Sequence, residues 1–190
     1  MVERNADASQ GPRARTTGVV YLLYFLTAML GELLLNRKLV VYGDAVNLIA
    51  NAFYVAVTVL FYELLKPVNK RVSLVAALFS LVGCAIAILD LFRLAPSDLS
   101  PLLFFGPYCL LLGYLIFRSN FLPRILGVLM MFAGVGWLIF LLPAVAHHLS
   151  RYIEGLGIFA EGLLMLWLLM KGVNVLRWNE QAGIGKTVRG

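Results

Sequence analysis

Six apolar stretches, separated by short charged connections, organise this chain: residues 17–35, 46–65, 72–94, 101–117, 121–145 and 152–170. A helix crosses the hydrocarbon core of a bilayer with about 20 mostly apolar residues. The pattern therefore predicts an all-α fold, a bundle of six transmembrane helices joined by short loops. The fourth stretch is the shortest and contains Pro107, which lacks a backbone donor and can kink a helix. The flanking segments 1–16 and 179–190 are polar, contain Gly and show no apolar periodicity, so both read as disordered tails around a membrane domain over 17–178. The run of the first span is too long for the h-region of a signal peptide, and no small-x-small cleavage site follows it, so it reads as an uncleaved span.

Polar residues inside the spans are not scattered. In the second stretch Asp44, Asn47, Asn51, Tyr54, Thr58 and Tyr62 recur at intervals of three and four, which places them on one helical face. Lipid cannot satisfy such a face, so it is expected to point into the bundle or a wet cavity. The first span carries a weaker stripe (Thr17, Tyr21, Tyr24, Ala28, Glu32), and the third contributes Ser80, Gly83, Ala87 and Asp90. Together they suggest a polar interior. The alternative is interhelical hydrogen-bond glue, worth about 0.6 kcal/mol per contact.

Composition agrees with the spans: 61% of residues are hydrophobic, 14% are charged, and the mean hydropathy is +0.87. Charge then orients them. Of the 16 basic residues, twelve fall on one side, in the N-terminal segment, the second and fourth connections and the C-terminal segment. Only Arg37, Lys38, Arg93 and Arg151 fall on the other. The positive-inside bias puts both termini and the turns 66–71 and 118–124 in the cytoplasm. The net charge of +6 is mostly this bias, so it is no nucleic-acid footprint. The turns around 62–72 and 114–124 echo one another, as a hairpin repeat of the kind carriers use or as two cytoplasmic turns collecting Pro, Asn and basic residues.

Ionisable groups within a span are functional candidates by default. Glu161 lies near the centre of the sixth stretch, where a lone carboxylate must be protonated, paired or facing water. Glu154 sits seven residues earlier on the same face, with Gly157 between them leaving room for a close neighbour. The ligand-binding candidates are thus Glu161, Glu154, Asp44, Asn47, Asn51, Tyr54 and Asp90. His147 and His148, placed at the outer end of the fifth stretch, point about 100° apart on a helix and rarely ligate one metal together. They are weak metal candidates, and one such pair argues against bis-histidine haem. Cys84 and Cys109 fall inside spans and read as small packing residues. No cofactor is implied: there is no zinc-protease pattern, nucleophile elbow, phosphate loop or Rossmann glycine run. Gly127, Gly134 and Gly136 read as close helix packing.

The segment FFGPYCLLLGYLIFRSNFLPRILGVLM over 105–130, with EGLLMLWLLMKGVNVLRW at the end, resembles an uncharacterised bacterial family of integral membrane proteins known only as a domain of unknown function. The turn FYELLKPVNKRVSLVAALFSLVG is similar to its second signature. The resemblance covers most of 15–178. It implies a multi-pass protein of a bacterial cytoplasmic (inner) membrane, and it carries no catalytic residues. Three functions remain open: a polar intramembrane pocket that binds or conducts a small polar or amphiphilic ligand or a proton; an accessory or interaction subunit of a membrane complex; and an intramembrane enzyme using Glu161 with His147 or His148. The expected partners are the bilayer itself, a small-molecule or lipid ligand, or another membrane protein, with no nucleic acid.

Overall fold

Apolar length, broken by a few turn-forming residues, yields seven helices among the described residues of the computed structural model: α1 (Val2–Asn36), α2 (Val40–Leu65), α3 (Lys70–Leu91), α4 (Leu102–Arg118), α5 (Arg124–Ile139), α6 (Pro143–Met170) and α7 (Val175–Ala182). The structure describes the backbone of residues 2–96, 100–141 and 143–183, and the side chains of 13–96, 100–141 and 149–183. Each of the first six helices packs on its chain neighbours, and α6 returns to α1, so the bundle closes as a ring; α7 docks against α1.

The turns follow from identifiable chemistry. Asn69 caps α3, its side chain accepting hydrogen bonds from the Arg71 and Val72 amides at 3.1 Å. α1 and α3 both end in Schellman closures: the Leu39 amide reaches back to the Leu34 carbonyl and the Leu94 amide to Leu89. These closures put Lys38 and Arg93 in the left-handed region, at φ 62° and 57°. Gly113 of α4 and Gly127 of α5 let two backbones meet. A Cβ on Gly127 would lie 2.6 Å from the Gly113 carbonyl oxygen, a distance no real Cβ tolerates.

Among the described residues four segments are long and apolar enough to cross a membrane: Arg13–Asn36, Val40–Leu65, Lys70–Leu91 and Leu149–Met170. α4 and α5 are apolar but shorter, at 17 and 16 residues. The stretch 121–145 is thus not one helix, as its unbroken apolarity suggests. α5 stops at Ile139 because the ring of Pro143 would clash with the carbonyl four residues before it. Pro143 instead opens α6, where a missing amide costs nothing. The sixth helix accordingly starts earlier than residue 152, and His147 and His148 belong to its backbone; their side chains lie outside the described residues. Helix α1 runs back to Val2, and α7 is a helix where the sequence marks only a polar tail.

One end of the bundle gathers the α2–α3 turn, the α4–α5 turn and α7. The Trp178 indole N–H donates to the Leu64 carbonyl at 2.9 Å, and the Asn120 amide donates to Gln181 Oε1 at 3.1 Å. Arg15 and Lys171 line one cavity there, and Arg13 and Glu63 another. The buried core between the helices is built from Tyr21, Tyr54, Phe61, Leu112, Ile116, Met130, Leu164 and Leu168. Large apolar side chains such as Met29, Val41, Phe132 and Ile158 cover the outer surface.

Candidate functional site

Helix α6 carries Glu161 on the face that meets α1, and α1 answers with Tyr21 at a matching level. The Tyr21 hydroxyl donates to Glu161 Oε2 at 2.8 Å. Both side chains are nearly sealed, at 1% and 9% exposure, in surroundings where an unmade hydrogen bond would be costly.

Glu161 also borders a cleft of about 700 Å³ between α1 and α6, whose lining includes Tyr24, Ala28, Leu33, Trp137, Ile158 and, further along α1, Glu32. Two features of the sequence open it. Ala28 is small where its neighbours on α1 are long. Gly157 lets the Trp137 ring of α5 lie where a Cβ would stand, so the indole floors one side of the cleft. Apart from Glu161, Glu32, Asn36 and the Tyr24 hydroxyl the walls are apolar, and Met29, Leu30, Leu33 and Ile158 are themselves exposed at the outer surface. A space of this kind, mostly apolar with a few polar groups, is the usual form of a small-molecule site. It suits a hydrocarbon chain along its walls and a polar head at Glu161.

Aromatic rings lead from the cleft into the bundle. Tyr21 and Tyr24 lie 6.0 Å apart between centroids, Tyr24 and Tyr54 4.7 Å, and Tyr54 packs edge-on to Phe105 at 5.3 Å. Tyr54 is therefore linked to the cleft through Tyr24 without lining it.

Of the seven candidates from the sequence, only Glu161 lines this cleft. The others are dispersed. Asn47 packs its carboxamide onto Gly31 of α1. Asn51 donates from Nδ2 to the Cys84 carbonyl of α3 at 3.3 Å, while its Oδ1 is buried without a hydrogen-bond partner. Thr58, next along the stripe, shares a 2.6 Å hydrogen bond with Ser80 of α3. Asp44 is partly buried near the start of α2, and Asp90 and Glu154 are exposed. The shared face of Glu154 and Glu161 thus does not bring them to one site, because seven residues of helix separate their depths by about 10 Å. Among the described residues no three His, Cys, Asp or Glu side chains come together as a metal site. Cys84 and Cys109 are buried free thiols.

The Trp137 floor was not legible as a site residue, while Tyr21 and Ala28 lay in the stripe of the first span, which gave their face and not their meeting with Glu161. The one available signal was Gly157, which announces a close neighbour without naming it.

The model of a family described as a domain of unknown function (DUF4386) matches residues 45–96 and 98–172. An uncharacterised protein of Archaeoglobus fulgidus is 33% identical over 150 residues, covering 73% of this chain and 89% of its own length. No solved structure matches the chain.

Proposed function

For a chain that belongs to the DUF4386 family, a family defined by sequence and described only as of unknown function, we propose a multi-pass membrane protein that binds an amphiphilic ligand between α1 and α6. The observation that carries this reading is Glu161, a carboxylate held by Tyr21 at the border of an apolar cleft of about 700 Å³. A buried carboxylate whose only work is to fasten two helices needs no cleft beside it. A ligand head that donates a hydrogen bond or carries positive charge would find a polar partner in Glu161, while its chain replaces lipid against Leu33 and Ile158.

The proposal extends to topology. Six crossings with both termini in the cytoplasm, in the membrane of a bacterium or archaeon, are supported by the meeting of the α2–α3 turn, the α4–α5 turn and α7 at one end. Helices of 16 and 17 residues reach about 25 Å, close to the apolar thickness. Arg13, Arg15, Lys66, Arg118, Arg124 and Lys171 belong to that same end.

The accessory-subunit reading has its own support in α2. Asn51 donates to α3, and Thr58, whose hydroxyl donates to the Tyr54 carbonyl of its own helix, shares a hydrogen bond with Ser80 of α3, as interhelical fasteners do. The polar stripe is thus assigned to assembly of the bundle and Glu161 to the ligand. Native mass spectrometry of the detergent-purified protein titrated with dodecylamine separates the two. The wild type should retain one amine per chain. Ala28→Phe, which fills the cleft, and Glu161→Gln, which removes the carboxyl group, should each weaken retention about tenfold. Equal retention by all three proteins would leave the accessory role standing and end the ligand role.

A further inference from the structure

A second, chemically opposite cavity lies at the end of the bundle that carries α7. Val68, Phe117, Arg118, Asn120, Arg124 and Gln181 line a space of about 520 Å³ between the α2–α3 turn, the α4–α5 turn and α7. Among the described residues no carboxylate lines it. Among the described residues the one ion pair is Lys66 with Glu63, so neither arginine is neutralised by an acid. Glu180, beside Gln181 on α7, is exposed and takes no part in the lining. Two guanidinium groups therefore face one space without their usual partners.

The cavity is also held in shape. The Asn120 amide donates to Gln181 Oε1 at 3.1 Å, the Asn174 amide to the Phe121 carbonyl at 3.4 Å, and Arg177 Nη1 to the Asn120 carbonyl at 3.4 Å. α7 thus clamps the α4–α5 turn from both sides and brings a third arginine to the rim. The Arg124 guanidinium lies 5.8 Å from the centre of the Phe117 ring, which supports one face and leaves its N–H edge free. A planar fork with a free edge matches phosphate oxygens in a bidentate way that an ammonium does not.

We propose that this cavity binds the phosphate of an anionic phospholipid of the cytoplasmic leaflet, with Arg118 and Arg124 as its ligands. Position favours a lipid over a dissolved anion. Phe117, 40% exposed, precedes Arg118 and packs on Arg124, and offers apolar surface to the acyl chains below the headgroup. Basic pockets at the cytoplasmic ends of membrane helices characteristically hold such headgroups. The choice of leaflet rests on the orientation proposed above; the binding itself does not.

The experiment measures lipid carried by detergent-purified protein after exchange into phosphatidylcholine or phosphatidylglycerol micelles, read by native mass spectrometry. Wild type should retain phosphatidylglycerol in preference to phosphatidylcholine. Arg118→Gln with Arg124→Gln should lower that retention about tenfold, both phosphate ligands having been lost. Lys70→Gln with Arg71→Gln, an equal loss of charge at positions that do not line the cavity, should leave it unchanged. Should the double glutamine variant fail to fold by circular dichroism and gel filtration, Arg118→Lys with Arg124→Lys keeps the charge, loses the fork and should still lower retention. Equal loss in both glutamine pairs would overturn the site in favour of diffuse attraction. Displacement of the lipid by millimolar inorganic phosphate would overturn it in favour of a free-anion site.

Discussion

Removing the Tyr21 hydroxyl alone tests whether the α1–α6 seam is held as the structure describes. Tyr21→Phe keeps the ring that packs against Phe25 and Phe61 and deletes one 2.8 Å hydrogen bond to Glu161. Between membrane helices such bonds average about 0.6 kcal/mol in double-mutant cycles and reach about 1.7. With both groups nearly sealed, the acceptor left behind finds no water, which argues for the upper part of that range. The expected loss is about 1.5 kcal/mol. Glu161→Leu should cost a similar amount, since it strands the Tyr21 hydroxyl instead. The double variant strands neither group, so the cycle should return a coupling of about 1 kcal/mol, roughly a fivefold change in the unfolding equilibrium. Reversible unfolding from mild micelles into sodium dodecyl sulfate, followed by circular dichroism, reads all four proteins. Additivity within about 0.3 kcal/mol would refute the bond and, with it, the assignment of Glu161 to this seam.

Gly127→Ala should destabilise by about 1–3 kcal/mol, because its Cβ meets the Gly113 and Phe117 backbones, whereas Gly155→Ala in α6 meets nothing within 4 Å and should be neutral or slightly stabilising; thermal melts compare them. Trp178→Phe removes the bond to the Leu64 carbonyl, so about 1 kcal/mol should be lost and amide exchange should rise selectively over Val175–Ala182. Lys38→Gly relieves a left-handed backbone at a Schellman closure and should raise the melting temperature, an unchanged or lowered value counting against that geometry. Cysteine-accessibility mapping should report the C-terminal segment and the 66–71 turn as cytoplasmic; labelling of either from outside the cell would reverse the orientation.

Much of the bundle was legible because apolar length and helical period are local signals. The second and third stretches fall close to α2 and α3, and the Asn51–Thr58 spacing of seven put both side chains on the face that meets α3. The reading failed where length misleads. Over 121–145 the apolar run continues through a helix end, and Pro143 is the single mark of the break. α7 was hidden for the opposite reason: eight residues of mixed polarity have no apolar length, and their helix is fixed by the Asn174 cap and the docking of Trp178. At the site, period gave the face but neither depth nor partner. Glu154 and Glu161 share a face and not an environment, and the bond from Tyr21 to Glu161 joins residues 140 apart in sequence. Nothing in either local pattern encodes that meeting.

The account stands or falls on what occupies the space between α1 and α6. A density map of the protein in lipid nanodiscs measures this directly. It should contain elongated non-protein density along Ala28, Leu33 and Ile158, ending within hydrogen-bonding distance of Glu161. A map in which α1 and α6 close on each other, or in which the space beside Glu161 is filled by the protein's own side chains, would contradict the proposed ligand site.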